Sequence, residues 1–340
     1  MNVLVNGIGN LGQTLLCLLS EYKTLLNIDT IYALKNTQIS SWNLVDIELL
    51  EGLGIVVCTN KQDAYINLPS IIDTVDYIFD CNANSFGLKN KDWYSSLTNL
   101  KGCSVQGSEK GFGVSYMSGI NDKAIENSKF VHVVSCNTHA ISSLIQTFSN
   151  NNFSFFVEGD FVVVRRSEDL SNNERLVGAN VISRHMEAEI GTHHAIDVKD
   201  LFSTIQLPLN IQSSDITTPS QLMHTVRFNI KLTNIVPLSE INQLIESNTF
   251  VSSTTKFDSN IVFELGRRYS KFGRLYSHAI INSNNLLFDF DDNRIKGWAF
   301  IPQEGNTLLS TLNAFLIQTK SKDIENIISN LKTELIRPNW

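Results

Sequence analysis

One cysteine in this chain lies where a thiol can be made reactive. The stretch Val133-Val134-Ser135-Cys136-Asn137-Thr138 follows an apolar run that reads as a buried strand, and Ala140 to Phe148 reads as a helix. A thiol at that junction sits at a helix N-terminus, where partial positive charge favours the thiolate, the reactive species. The other four cysteines lack this setting. Cys17 falls within a helical pattern, while Cys58, Cys81 and Cys103 flank predicted strands, where a thiol serves as a small apolar filler. With no CxxC spacing and an odd total of five, neither a disulfide framework nor a metal site is expected.

A second group of residues could hold a dinucleotide. Gly7-Ile8-Gly9-Asn10-Leu11-Gly12 is a GxGxxG run placed directly after a strand (Val3 to Val5) and opening a helix (Leu11 to Tyr22). In that context Gly7 permits the turn, Gly9 lets the backbone approach a pyrophosphate, and Gly12 lets helix and strand pack closely. The helix N-terminus, with the amides of Asn10 and Leu11, favours the negative charge. An acidic residue at the end of the second strand would repel a 2′-phosphate. This chain has Ala33-Leu34-Lys35-Asn36-Thr37 there, and Lys35 with the hydroxyl of Thr37 could bind one, so NADP is expected to be accepted, alongside NAD.

The elements that must position these groups follow from the pattern of the 340 residues, a length that suggests two domains. Short apolar runs at Val3–Val5, Thr30–Ala33, Gly54–Val57, Tyr77–Phe79, Cys103–Val105 and Val131–Val134 alternate with amphipathic stretches, which predicts a doubly wound α/β domain of Rossmann type. From about Phe153 the strands lengthen and alternate, as at Phe161–Val164 and Thr225–Leu232, with a helical segment at Leu238–Ser247. That texture predicts a second, α+β domain with a mainly antiparallel sheet. The terminal helices, Leu308–Thr319 and Lys322–Ile336, are expected to fold back onto the first domain. The expected division is residues 1–135 plus 302–340 for the dinucleotide and 136–301 for catalysis.

Composition narrows the function classes. Lys plus Arg total 27 against 34 acidic residues, a formal charge of -7 with no basic run, which disfavours a nucleic-acid or anionic-membrane partner. No secretory leader pattern is read at Met1 and no apolar stretch reaches membrane-spanning length, so a cytoplasmic location with reduced thiols is expected.

Seven short motifs occur in an order and approximate spacing that resembles the archaeal-type (class II) phosphorylating glyceraldehyde-3-phosphate dehydrogenases. They are Gly7 to Gly12, Gln106-Gly107-Ser108-Glu109-Lys110, Val133 to Thr138, Val164-Arg165-Arg166, His193-His194 with Asp197-Val198, Leu222-Met223-His224, and Gln303-Glu304. The resemblance extends over nearly the whole chain. It implies that Cys136 attacks an aldehyde carbon, that His224 removes the proton as hydride leaves for the nicotinamide, and that inorganic phosphate cleaves the thioester. A low-pKa sulfur and a base titrating near neutrality suit that chemistry.

The same resemblance implies that Ser135, Asn137, Thr138, Arg165, Arg166, His193, His194 and Ala195 line the substrate and phosphate pocket. Strand alternation lets only one of the two arginines point inward, and the family pattern favours Arg166. Gly107, Ser108 and Gln303 are implied at the cofactor, and a homotetramer as the assembly. Where the family has Thr-Gly after its Cys-Asn-Thr, this chain has His139-Ala140. His139 either lowers the thiol pKa or occupies substrate space, and the sequence leaves that open. An aspartate-semialdehyde type of dehydrogenase, using the same Cys and His with a carboxylate pocket, and a non-catalytic cofactor-binding relative are the alternatives.

Overall fold

The computed structural model describes residues 1–83, 85–167, 178–183, 187–219, 221–235 and 237–340. Its chain forms two compact units, Met1–Val134 with Ser310–Ile328, and Ser135–Leu309 with Ser329–Trp340.

In the first unit the strands are β1 (Asn2–Asn6), β2 (Thr30–Leu34), β3 (Val56–Cys58), β4 (Tyr77–Asp80), β5 (Gly102–Gln106), β6 (Val114–Tyr116) and β7 (Phe130–Val133), and the helices between them are α1 (Asn10–Glu21), α2 (Leu44–Gly52) and α3 (Phe86–Ser96). All strand pairings are parallel, in the order β3-β2-β1-β4-β5-β7-β6. Parallel strands are covered on both faces, which is why β1 is apolar residue after residue, with Val3, Leu4 and Val5 fully buried. The order reverses between β1 and β4. The carboxyl ends of those two strands therefore form the crevice where such sheets bind ligands.

The second unit carries α4 (Cys136–Phe148), β8 (Phe156–Arg166), β9 (Val181–Ile182), α5 (His193–Ser203), β10 (Ile211–Thr218), β11 (His224–Leu232), α6 (Ile241–Ser247), β12 (Val251–Thr254), α7 (Ser259–Tyr269), β13 (Ala279–Asn282), β14 (Leu287–Asp289) and β15 (Arg294–Ile301). Its sheet, among the described residues, runs β12-β13-β15-β11-β8-β10-β9 with β14 added at β15. Pairings β8–β10 and β12–β13 are parallel and the others antiparallel. Alternation along β8 buries Phe161 and Val163 on one face, and Phe228 of β11 pairs with Phe161 on that face. The Phe148 ring of α4 lies 5.2 Å from that of Phe228, so this is the face α4 covers.

Two terminal helices follow, α8 (Leu308–Gln318) and α9 (Ile324–Leu335). Phe315 packs edge-on against Tyr77 at 5.0 Å, and Gln318 accepts from the Tyr77 hydroxyl at 2.6 Å, which ties this stretch into the first unit. The last residues group instead with the second unit, where the expected division had placed 302–340 with the first. Trp340 N–H donates to the Ser253 carbonyl and Ser253 N–H to that of Pro338, extending the edge at β12. That pairing is a backbone contact that no periodicity announces.

Candidate active site

In the first unit, Gly7 has φ +97°, a left-handed value that favours glycine, and a Cβ there would meet Asn82 at 2.9 Å. A Cβ at Gly12 would fall 2.1 Å from the Gly7 carbonyl oxygen, so only glycine lets α1 pack on the turn. Gly9, the N-cap of α1, has open space where its Cβ would be, and no side chain caps the helix. The turn thus leaves room over the first-turn amides, including Asn10 and Leu11, of the kind a pyrophosphate fills. Gly107 (φ +85°) and exposed Ser108 follow β5 at the same edge of the sheet. Lys35 follows β2, its N–H donating to the Cys58 carbonyl.

Sequence reasoning missed the polar network in this crevice. Asn36 donates to Asn6 at 2.8 Å and to Asn82 at 2.9 Å. The Asn82 side chain donates to buried Asp80, which also accepts from the Tyr94 hydroxyl at 2.5 Å. Asp80, the last residue of an otherwise apolar strand, was the available signal.

In the second unit, Cys136 is the first residue of α4. Ser135 caps that helix, its Oγ accepting from the Thr138 N–H at 3.3 Å. Three other thiols behave oppositely to a nucleophile: desolvation pushes Cys58 up to about 12 and lifts Cys81 and Cys103 well above the ordinary thiol range. Asn137 reaches from α4 to α5, with Nδ2 3.5 Å from His194 Nδ1. His194 Nε2 lies 3.1 Å from Asp215 of β10, and the Ala195 N–H donates to Ser213 Oγ at 3.0 Å. Burial opposes charge on Asp215, but bonds from His194 and Ser183 and the nearby Arg165 guanidinium outweigh it and hold the carboxyl down to about 2. Burial, with His194 alongside, pushes His193 down to about 4, so this ring is neutral at pH 7.

Asp215 went unnoticed in the sequence, although an acid at an inward position of an alternating strand, two residues after Ser213, is an anomaly. Ligand atoms of His193, His194 and Asp215 lie within 4.8 Å of one another, as a metal site would require. Arg165 Nε is 3.7 Å from the same carboxylate, so a cation already balances the acid and a divalent ion would face it.

The two arginines point to opposite faces, as alternation demands, but not in the expected sense. Arg165 continues the Phe161–Val163 face covered by α4, donates to Ser183 Oγ and Thr217 Oγ1, and stays one-third exposed. Arg166, the expected inward residue, turns to the other face. There it is buried and donates to Glu304 Oε1 and the Leu222 carbonyl, both at 2.9 Å. Its charge is neutralised within the fold.

His224, at the start of β11, shares the face of Val226 and Phe228. Its Nδ1 accepts the Arg166 N–H at 3.0 Å, so the neutral ring carries its proton on Nε2. Gln303, expected at the nicotinamide, has both ends of its amide engaged: Oε1 accepts from the His224 N–H at 3.2 Å and Nε2 donates to the Leu222 carbonyl at 3.1 Å. Gln303 thus pins the entry to β11.

No protein-family model matches the chain. Among curated proteins it is 26% identical over 277 residues to glyceraldehyde-3-phosphate dehydrogenase of Saccharolobus solfataricus, covering 78% of this chain and 76% of that protein. The enzymes of the same name from Pyrococcus furiosus (27% over 210 residues) and Methanobacterium formicicum (26% over 228 residues) are matched over 58% and 62% of their own lengths. The motifs in register, the parallel sheet with its glycine turn and these matches agree: the chain is a relative of the archaeal-type glyceraldehyde-3-phosphate dehydrogenases.

Proposed function

We propose that this protein oxidises glyceraldehyde 3-phosphate with NAD(P) and inorganic phosphate to 1,3-bisphosphoglycerate, through a thioester on Cys136. The observation that carries the reading is the run of contacts, within one unit, from the residue after Cys136 at the start of α4, Asn137, to His194, and from His194 through Asp215 to Arg165. The positive end of α4 favours the thiolate. Addition of the sulfur to the aldehyde carbon forms the C–S bond and moves the carbonyl pair onto oxygen. His224, with its proton on Nε2, is suited to donate a hydrogen bond to that alkoxide, which keeps its negative charge until hydride leaves. This is a donor's part, where sequence reasoning expected a base, and it leaves no hydroxyl proton to remove.

Bound NAD(P) supplies the acceptor for the hydride that leaves as the C=O bond re-forms. A phosphate oxygen then attacks the thioester carbon, the C–S bond breaks, and the thiolate returns. Arg165 offers the guanidinium for a phosphate, while neutral His193 contributes hydrogen bonds without a competing charge. The residues at the glycine turn fit the dinucleotide: Gly7, Gly9 and Gly12 shape the cradle and the amides of Asn10 and Leu11 face the pyrophosphate. No acidic side chain stands at 33–37 to repel a 2′-phosphate, and Lys35 attracts one, so both NADP and NAD are used. Kinship with the named enzymes also supports a cytoplasmic homotetramer.

The test is the initial rate of NADP and NAD reduction with glyceraldehyde 3-phosphate. A rate that requires added phosphate and vanishes in Cys136→Ser is expected. A rate indifferent to phosphate, or none with either cofactor, would overturn the reading.

A further inference from the structure

His139 sits three residues after Cys136 on the same helix and is fully buried, so it occupies no substrate space. Its ring folds back on the start of its own helix, where Nδ1 donates to the Ser135 carbonyl at 3.1 Å. That carbonyl also accepts the His139 backbone N–H at 2.9 Å. The next carbonyl along, that of Cys136, accepts from Asn306 Nδ2 at 3.0 Å, and the same amide donates to the His278 carbonyl at 3.0 Å. Ser135 C=O and Cys136 C=O belong to the two peptide planes that flank the Cys136 Cα. Their orientations are its φ and ψ, and these set the direction of the Cα–Cβ bond that carries Sγ.

The brace is itself held rigid. The His139 ring meets His278 edge to face, with centroids 4.9 Å apart. His278 stacks on Phe250 at 4.6 Å and an interplanar angle of 5°, and its Nδ1 lies 3.2 Å from Ser143 Oγ, one turn further along α4. Burial, with His139 and Lys332 nearby, holds the His278 ring well below the ordinary histidine range, so it stays neutral against its neighbour. Two buried rings and one amide therefore tie the reactive turn to the body of the unit.

We propose that His139 is a positioning residue for Cys136: with Asn306 it fixes the two peptide planes around the nucleophile and so the Cα–Cβ direction from which its sulfur projects. The proposal rests on the reading of Cys136 as nucleophile. A displacement of about 1 Å at a reacting atom can cost about 100-fold in rate, so a pair of carbonyl anchors of this kind has large leverage.

Three substitutions separate the hydrogen bond from the bulk of the ring. Asn carries a donor where histidine has Nδ1, Gln carries one further out, and Ala carries none. His139→Ala and His139→Gln are expected to lower kcat about 10- to 100-fold, to leave the KM for the aldehyde within about twofold, and to slow iodoacetamide alkylation of Cys136 to a comparable degree. His139→Asn is expected to restore most of both. Equal losses in all three would make the ring mere filler and overturn the proposal, as would a folded His139→Ala chain with wild-type kcat and alkylation. Should the alanine chain fail to fold, the Asn against Gln comparison decides alone. The alkylation rate needs no substrate, so a chain that oxidised no aldehyde would refute the function while this test still ran.

Discussion

Arg165 and Arg166 are chemically identical neighbours to which the fold gives opposite tasks. Arg165 keeps a one-third-exposed side chain beside Asp215 on the face that α4 covers, whereas Arg166 is buried against Glu304 on the other. Arg165→Gln is expected to fold normally and to lower kcat/KM for the phosphorylated aldehyde by about 100-fold, mostly through KM. Arg166→Gln leaves Glu304 buried with Arg274, 3.4 Å away, as its one remaining ion-pair partner among the described residues, and is expected to cost about 3 kcal/mol in urea unfolding. A reversal of the two outcomes would mean that the face assignment is wrong. The sequence showed that the pair must split, since alternation is local. Which side faced the site depends on strand pairing with β11, and that is not local. Cys136 was legible for the opposite reason: a strand end, a serine cap and a helix start lie within a few consecutive residues.

At the scale of elements, the β1 turn into α1 was readable because each glycine answers one local requirement. Two of those requirements can be told apart. Gly12→Ala puts a methyl group 2.1 Å from a carbonyl oxygen and is expected to destabilise the fold by several degrees in Tm or prevent it. Gly9→Ala enters open space, so Tm should hold within about 1 °C while dinucleotide affinity falls by about 10-fold or more. Binding unchanged in a stable Gly9→Ala chain, measured by calorimetry, would deny that the turn is the cradle. Helix α4 was harder to read. Its Ser142, Ser143, Gln146 and Thr147 suggest a solvated face, yet all four are buried. Thr147 donates to the Ser143 carbonyl, and Asn248 donates to Thr147 and lies within reach of Gln146, so partners that come from elsewhere in the chain make the burial tolerable. Burial of a helix on all sides is set by what packs around it, which its own periodicity does not disclose.

For the molecule as a whole, the two kinds of site fall in separate units: the glycine turn with its asparagine network in the first, and the cysteine, the histidines and the arginines in the second. The α/β pattern followed from hydrophobic periodicity alone, because parallel strands buried on both faces read as apolar runs. The terminal residues did not, because Pro338 and Trp340 join the β12 edge through backbone bonds that carry no side-chain signal. The central claim is that Cys136 carries the covalent intermediate. The most direct measurement is a rapid-quench mass spectrum of the enzyme mixed with glyceraldehyde 3-phosphate and NADP in the absence of phosphate. The account predicts one equivalent of reduced cofactor in a burst and a 3-phosphoglyceroyl adduct on the peptide containing Cys136, both discharged when phosphate is added. A burst without an adduct at Cys136, or an adduct that phosphate does not release, would contradict it.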